Sequence, residues 1–447
     1  MGAFFSKESI DDRFSGLPVE LLGNIISLLS PLDVTNLRLT SKAFAVLGRQ
    51  GLFNGHLTVR IYRDDMRRLV AIGSCPWLAA CIQEIEIFVR EVDSHCFDDG
   101  FKGEIDDDAL AELQCIWRYL EVDHAKLFCQ DNLLATAFPS FKNVNSLVVT
   151  STKFPFDFIT RSESLRPAWR RMLETANEFS HLEDSRHRYE ESTGRFSSIV
   201  LAARTFLPPL KKLVLDAFPI EALVRTDLTS TEGATTSMLA ELIKLCEPLE
   251  HLHIIVDGYG CDQYYDGPSA GRAMSKFLTS LERIRILEVS FPVVRLLTRG
   301  YMEEMFEGYL PSLRKFRLEK IGAPPNVLLS FLLRHKASLR ELKLSSSALC
   351  IMEDDAPNLF KDFMTTLRDS LRLEKFEIID WDSEEELLYM GERCQGLGEV
   401  STRLEQYVNG KEPWFSGAES AFSNAKCVQN LLEEPPVDIQ IFELDQE

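Results

Sequence analysis

The sequence lacks the features that mark membrane-spanning and secreted proteins. No apolar run reaches the roughly eighteen residues needed to cross a bilayer. The N-terminus has no basic region followed by an apolar stretch, so no secretory signal is expected. The ten cysteines form no C-x-x-C pair. Scattered cysteines without a signal peptide predict reduced thiols in the cytoplasm or the nucleus.

The chain also has fewer positively charged than negatively charged residues. Against 69 acidic residues the chain has 49 lysines and arginines, which leaves a formal net charge of -20. Such a surface repels phosphate backbones and anionic membranes, so nucleic acid is not expected as the main partner. The hydrophobic share of 45% is that of a globular protein, and 447 residues predict two or three units or one extended array.

The signatures of common enzyme classes are missing, with one partial exception. There is no Walker loop, dinucleotide fingerprint or kinase motif set. Residues 267–271 match G-x-S-x-G, which serves as a nucleophile elbow only on a tight turn from strand to helix. The preceding predicted strand ends near Val256, Pro268 removes an N–H beside the serine, and His335 is the one histidine downstream. Ser269 is therefore interpreted as a loop residue or helix cap, with a serine hydrolase as the alternative. No enzyme activity, catalytic residue or cofactor is predicted.

His251 and His253 come closest to a metal motif. They lie two residues apart and share one face of a predicted strand. A metal ion would need further ligands, and Cys246 is expected on another element. Half-buried strand histidines are the preferred interpretation, and no metal site is predicted.

Residues 14–55 have the pattern of three short helices. Pro18 suits a first helical turn, Pro31 separates the first helix from the second, and Thr40 or Ser41 is placed to cap the third. Apolar residues follow helical spacing on two faces of the first helix, Leu17, Leu21, Ile25 and Leu28 on one and Leu22, Ile26 and Leu29 on the other; the later helices carry Leu32, Val34, Leu37, Phe44 and Leu47. A module this small buries little surface, so the surplus apolar face predicts a partner or packing on the rest of the chain.

The order and spacing of these residues resemble the F-box across the whole module without a gap. Phe44 stands where many members have tryptophan, and Thr40-Ser41 replaces a frequent Val-Cys. The resemblance implies a helix-in-groove contact with the Skp adaptor, made by Leu17, Pro18, Leu21, Ile25, Leu29, Leu37 and Phe44. It implies a substrate-recognition subunit of an SCF-type cullin–RING ubiquitin ligase. A scaffold that binds Skp without assembling a ligase is the alternative.

Residues 75–381 repeat a short phrase, apolar-x-x-apolar-x-apolar, usually after a helix-like run. Its instances are Ile82-Ile85-Ile87, Val144-Leu147-Val149, Leu210-Leu213-Leu215, Leu249-Leu252-Ile254, Ile284-Leu287-Val289, Leu313-Phe316-Leu318, Leu339-Leu342-Leu344 and Leu373-Phe376-Ile378. This is a loose leucine-rich-repeat phrase, in which a strand points alternate side chains into a core that the return helix covers. The predicted fold is therefore α/β, a three-helix F-box followed by an irregular leucine-rich-repeat-like solenoid. A non-repetitive α/β domain is the competing interpretation.

The spacing of the phrases is irregular. The first two gaps are about twice the later ones, which indicates missing or decayed repeats. Insertions are predicted at 216–238 and 257–272, where solenoids often carry binding loops. Residues 382–432 are expected to form a helical cap, with a helix through Leu387, Leu388 and Leu397 to Tyr407. Residues 433–447 are expected to form an acidic, loose tail.

The first residues fit the N-myristoylation pattern, with Gly2 as the acceptor. One acyl chain gives only marginal membrane binding, and no nearby cysteine or basic cluster supplies a second signal. A membrane is therefore expected as a partner only if Gly2 is acylated. The chain is otherwise predicted to be cytoplasmic or nuclear, with the Skp adaptor and an unknown protein substrate as its partners.

Overall fold

The computed structural model describes the chain in separate stretches. They are residues 17–29, 31–48, 55–60, 63–89, 133–150, 196–219, 223, 228–229, 235–236, 238–257, 267–296, 299–322, 325–345, 356–379 and 397–415. The chain divides into two compact units, Met1–Val214 and Leu215–Glu447. Both are mixed α/β, with parallel strands that alternate with helices. In the described stretches no helix is long and apolar enough to span a membrane.

The predicted three-helix module is visible in part at the start of the first unit. Its helices are α1 (Val19–Ser27), α2 (Pro31–Arg38) and α3 (Lys42–Leu47). Ser41 caps α3, because its Oγ accepts a hydrogen bond from the Phe44 N–H at 3.2 Å. Residues 14–16, 30 and 49–54 of the predicted module lie outside the described residues.

The first unit then builds parallel strands in the order β1-β2-β3-β4. Its elements are β1 (His56–Arg60), α4 (Arg63–Gly73), α5 (Pro76–Ala79), β2 (Glu84–Phe88), α6 (Leu133–Ala137) with a 3-10 turn (Phe138–Ser140), β3 (Ser146–Thr150), a helix through residues 196–206, and β4 (Lys212–Pro219), which ends in the second unit. β1 was not predicted from the sequence. β2 pairs directly with β3 in parallel register, so the long gap between these two phrases adds no strand between them.

The second unit continues from β4 through β7, β8, β9, β10 and β11, in chain order. Its elements are a short antiparallel hairpin of β5 (Leu228–Thr229) and β6 (Thr235–Thr236), α7 (Met238–Cys246), β7 (His251–Asp257), α8 (Gly267–Thr279), β8 (Ile286–Leu296), α9 (Arg299–Met305), β9 (Lys315–Gly322), α10 (Pro325–Arg334), β10 (Glu341–Ser345), α11 (Ala356–Ser370), β11 (Lys375–Ile379) and α12 (Leu397–Val408). The two predicted insertions were placed too broadly, because β4 runs on to Pro219 and α8 already begins at Gly267.

The predicted phrases coincide with the strands and the core. Each phrase begins just before a strand, and its second and third apolar residues are buried in all eight instances. A fully buried leucine or isoleucine contributes roughly 1.5–3 kcal/mol, so this inward row dominates the stability of each strand. Nine parallel strands that alternate with helices are consistent with a solenoid-like repeat.

A backbone contact recurs at the start of seven neighbouring strand pairs in the described residues. One carbonyl at the start of a strand accepts hydrogen bonds from two consecutive N–H groups at the start of the next strand. Gly55 O accepts from Gln83 and Glu84, and Glu250 O accepts from Arg285 and Ile286. The same contact is made by the carbonyls of Gln83, Asn145, Arg285, Arg314 and Arg340. The repetition is therefore regular in the backbone although the sequence spacing is not.

Side chains cover the outer edges of the terminal strands. On β1, the Arg60 N–H donates to Asp65 Oδ2 at 3.0 Å, and the Arg68 guanidinium donates to the Thr58 carbonyl. On β11, the Ile378 N–H donates to Glu405 Oε1 of α12 at 3.1 Å. Open strand edges are templates for aggregation, so these contacts protect the ends. Leu387 and Leu388 lie outside the described residues, and the predicted domain limits stay predictions.

Candidate partner-binding surfaces

The first helix has two apolar faces, and the structure separates their roles. Leu22 and Ile26 are buried at 7% and 3% exposure. Leu21, Ile25 and Leu28 on the other face are exposed at 49%, 39% and 87%. α1 packs against α3. One apolar stripe therefore builds the module, and the other remains at the surface.

The exposed apolar residues are concentrated in this module. Of the nine large apolar side chains that are exposed in the described stretches, six lie between Val19 and Val46. They are Val19, Leu21, Ile25, Leu28, Leu39 and Val46. Scattered single exposures are normal, but a contiguous apolar patch marks an interaction site. The module therefore carries most of the exposed large apolar side chains in the described part of the chain, and it is the candidate interaction site.

The predicted Skp-binding residues fall on this module with different exposures. Pro18, Leu21 and Ile25 are exposed, and the other four, Leu17, Leu29, Leu37 and Phe44, are half-buried. Their role in binding stays a prediction. The sequence prediction omitted Leu28 and Leu39, which are more exposed than Leu21 and Ile25. Leu28 follows the same helical stripe as Leu21 and Ile25, so the helical periodicity already pointed to it.

Arg38 stabilises the inner side of the module. Its Nε donates to the Ala45 carbonyl at 3.2 Å, and its guanidinium lies over the Trp77 ring at 6.0 Å. Gly48 leaves room for this side chain, because a Cβ there would come within 2.6 Å of Arg38 Cγ. The contact with Trp77 joins the helical module to α5 within the same unit.

The outward face of β2 and β3 carries a closed hydrogen-bond network. His56 Nδ1 lies 2.9 Å from Glu84 Oε1, and His56 Nε2 lies 3.3 Å from Glu86 Oε2. Ser146 Oγ and Lys212 Nζ donate to the other Glu84 oxygen at 2.5 and 3.2 Å. Because both ring nitrogens face carboxylates, the imidazolium form fits this site. The hydrogen bond to Glu86 raises the pKa of His56, and this outweighs the opposing effect of burial.

Glu84 is the centre of this network. Burial acts to raise the pKa of its carboxyl, but the hydrogen bonds from Ser146 and Lys212 prevail and lower it. Neighbouring outward residues are buried, namely Glu86, Phe88, Ser146, Val148 and Thr150. The outward face of β2 and β3 is therefore covered except at Glu84, whose side chain is 28% exposed.

The outward face of β9 to β11 is charged and more open. The side chains of Lys315, Arg317 and Lys343 are 35%, 31% and 30% exposed. Glu377 lies 3.5 Å from Lys343 and also pairs with Lys375, which is 60% exposed. Charged side chains on a half-open sheet face can contact a partner without prior rearrangement.

His251 and His253 lie beside this face on β7, and both are half-buried, as the sequence predicted. His251 Nε2 lies 3.4 Å from Glu288 Oε1. This contact is the largest of the effects that lower the pKa of Glu288 to about 2, although burial opposes them. Burial lowers the pKa of His253. Among the residues the structure describes, no cluster of histidine, cysteine and acidic side chains could hold a metal ion.

The structure shows where the two residues of the alternative serine hydrolase, Ser269 and His335, lie. Ser269 is the third residue of α8 rather than part of a loop, and β7 ends well before it at Asp257. His335 is fully buried, its Nδ1 donates to the Phe331 carbonyl at 2.7 Å, and its Nε2 accepts from the Leu310 N–H at 2.9 Å. Both nitrogens of the only downstream histidine are thus engaged in the core. This histidine cannot act as a general base without losing those bonds.

Comparison with known families identifies the helical module. The family model of the F-box domain matches residues 14–49. A search of curated proteins found no match to the chain. The match supports an F-box protein, and F-box domains in general bind the Skp adaptor within SCF complexes. Its range spans α1, α2 and α3, where most of the exposed apolar residues are located.

Proposed function

We propose that this protein is a substrate-recognition adaptor of an SCF-type cullin–RING ubiquitin ligase. The observation that carries the proposal is the F-box match at residues 14–49, together with the exposed apolar face of α1 in that range. An amphipathic helix with a surplus apolar face suits insertion into a partner's hydrophobic groove. We propose that this groove belongs to the Skp adaptor.

The repeated strands and helices are proposed to hold the substrate as a leucine-rich-repeat-like array. The adaptor itself makes and breaks no bonds. It raises the effective concentration of a substrate lysine near a recruited ubiquitin-conjugating enzyme. The half-open charged face of β9 to β11 supports this role, because it offers polar contacts to a protein partner.

We assign the protein to the cytoplasm or nucleus, with membrane binding only if Gly2, which lies outside the described residues, is acylated.

The proposal is tested by co-purifying the full chain with the Skp adaptor and a cullin. The intact chain is expected to retain both, whereas a Leu21→Glu/Ile25→Glu variant retains neither. Leu201→Glu is the matched control, because Leu201 is a leucine in the same unit with 38% exposure and lies outside the module. If Skp is retained and the cullin never appears, the protein is a scaffold instead. If Skp does not bind the intact chain, the F-box function is contradicted.

A further inference from the structure

The F-box module is joined to the strands of the first unit by a short chain connection. Six residues, 49–54, separate Gly48 at the end of the module from Gly55 at the start of the strands. Gly55 is held in place, because its carbonyl accepts hydrogen bonds from the N–H groups of Gln83 and Glu84 at 2.7 and 2.8 Å. One covalent connection fixes where a module is attached, but neighbouring modules move relative to each other unless a further contact opposes the motion.

Arg38 makes such a further contact. It is the last residue of α2, its Nε donates to the Ala45 carbonyl of α3 at 3.2 Å, and its guanidinium lies over the Trp77 ring at 6.0 Å. A guanidinium at this distance is attracted by the negative face of the indole ring, and its planar shape suits stacking. One side chain therefore ties two helices of the module to α5.

The end of α3 leaves room for Arg38. Gly48 has a φ of -72°, which any residue can adopt, so the backbone does not require glycine there. A Cβ at Gly48 would come within 2.6 Å of Arg38 Cγ, 2.9 Å of Arg38 Cδ and 2.9 Å of the Phe44 carbonyl oxygen. The close approach of Arg38 and the Phe44 carbonyl, rather than the backbone conformation, therefore accounts for this glycine.

Trp77 lies in a part of the first unit that is fixed to the sheet. Its carbonyl accepts a hydrogen bond from Cys81 Sγ at 3.1 Å, and the Ala80 carbonyl accepts one from Asn143 Nδ2, shortly before β3, at 2.7 Å. Ile82, between α5 and β2, is fully buried. A side chain that rests on Trp77 therefore positions the module relative to β2 and β3.

We propose that Arg38 and Trp77 are positioning residues, which hold the F-box module and the Skp adaptor bound to it in one orientation relative to β2 and β3. This inference rests on the proposed adaptor function. Both residues are half-buried, whereas Leu21 and Leu28 of the proposed Skp-binding stripe are exposed. They therefore set orientation and not affinity for Skp. An adaptor acts through effective concentration, which depends on the stiffness of the connection between its two binding modules.

The test is the time-resolved fluorescence anisotropy of a labelled Skp adaptor bound to the full chain. In the intact complex Skp is expected to tumble slowly, as one body with the first unit. Arg38→Met keeps an unbranched stem without the charge, and Trp77→Leu keeps an apolar side chain without the ring. Each is expected to add a faster rotational component, while the dissociation constant for Skp stays within about twofold.

Two controls separate the loss of this contact from a general loss of packing. Trp77→Tyr keeps a ring face for the guanidinium and is expected to retain slow tumbling. Arg368→Met is the matched control, because the Arg368 guanidinium lies over the Tyr407 ring at 4.7 Å in the second unit. That substitution removes a contact of the same kind outside the module and is expected to leave the anisotropy decay unchanged. Circular dichroism of each variant reports on folding.

Hydrogen–deuterium exchange of the full chain without Skp is the second measurement. The amides of residues 38–48 are expected to exchange about threefold faster or more in Arg38→Met and Trp77→Leu. The inference is overturned if either variant leaves the anisotropy decay or the exchange unchanged, or if Trp77→Tyr behaves as Trp77→Leu does. Failure of the adaptor function is a different result. The intact chain then does not bind Skp, and the exchange experiment alone decides whether Arg38 and Trp77 position the module.

Discussion

The outward faces of β2–β3 and β9–β11 differ although the strands are built in the same way. Both sets are parallel, both point alternate apolar residues into a core, and both begin with the same shared-carbonyl contact. On β2 and β3 five outward residues are buried beside the network of Glu84, whose own side chain is 28% exposed. On β9 to β11 the outward residues are mostly half-buried charges, with Lys315, Arg317 and Lys343 at 30% to 35% exposure. The inward residues thus set the fold, and the outward residues decide whether a strand stabilises the protein or meets a partner.

The largest effect is expected where the two regions are alike, in the inward rows. Leu147→Ala on β3 and Leu342→Ala on β10 each remove a leucine that is only 1% exposed. Each is expected to lower the free energy of unfolding by about 2–5 kcal/mol, since both leave a cavity in a packed core. Urea denaturation followed by circular dichroism measures this. A negligible loss at either site would show that its inward row is not a packed core.

A smaller and unequal effect is expected on the outward faces. Glu84→Gln leaves His56, Ser146 and Lys212 without their carboxylate, and is expected to lower the free energy of unfolding by about 1–3 kcal/mol. Glu377→Gln is expected to change it by less than about 1 kcal/mol, because the partners of Glu377, Lys343 and Lys375, are 30% and 60% exposed whereas Ser146 beside Glu84 is buried. Equal losses of unfolding free energy for the two variants, measured by urea denaturation, would contradict the difference between the two outward faces.

The smallest effect is a difference in pH dependence between two histidines. The folded-state pKa of His56 is raised, so its stabilisation is complete below the unfolded value of about 6.5 and is lost as the pH rises through the folded value. Burial lowers the pKa of His335, so its contribution is complete above about 6.5 and is lost as the pH falls.

The opposite pH dependences of the free energy of unfolding that the two histidines contribute are measured by urea denaturation between about pH 5.5 and pH 8.5. His56→Gln is expected to remove part of the loss of stability at alkaline pH, and His335→Gln part of the loss at acid pH. The same change in slope for both variants would contradict the assigned environments.

The sequence predicted the inward rows because they are apolar at a fixed spacing. β1 was not predicted from the sequence, because Asn54 occupies the position of the first apolar residue of the phrase, ahead of Leu57 and Val59. The helical module was predicted from its motif, and the family match supports it. Periodicity alone could not tell which stripe of α1 faces outward, because Leu21 and Leu22 are equally apolar. Packing against α3 decides this.

The outward faces were less predictable for a physical reason. The network of His56, Glu84 and Lys212 and the pairing of Arg317 with Lys343 join residues that are distant in the chain. Such neighbours follow from strand register, which depends on how the repeats stack. Ser269 illustrates the same limit, since its motif matched locally while its place within α8 and the engaged nitrogens of His335 depend on the fold.

The central claim is that the exposed stripe of α1 holds the Skp adaptor. The most direct test is the dissociation constant of the full chain for purified Skp adaptor, by calorimetry, for the intact protein and for Leu21→Glu/Leu28→Glu. Burial of two exposed leucines in a groove predicts a loss of about a hundredfold or more, while Leu201→Glu leaves the constant within about twofold. Equal affinity of the intact chain and the double variant would contradict the account.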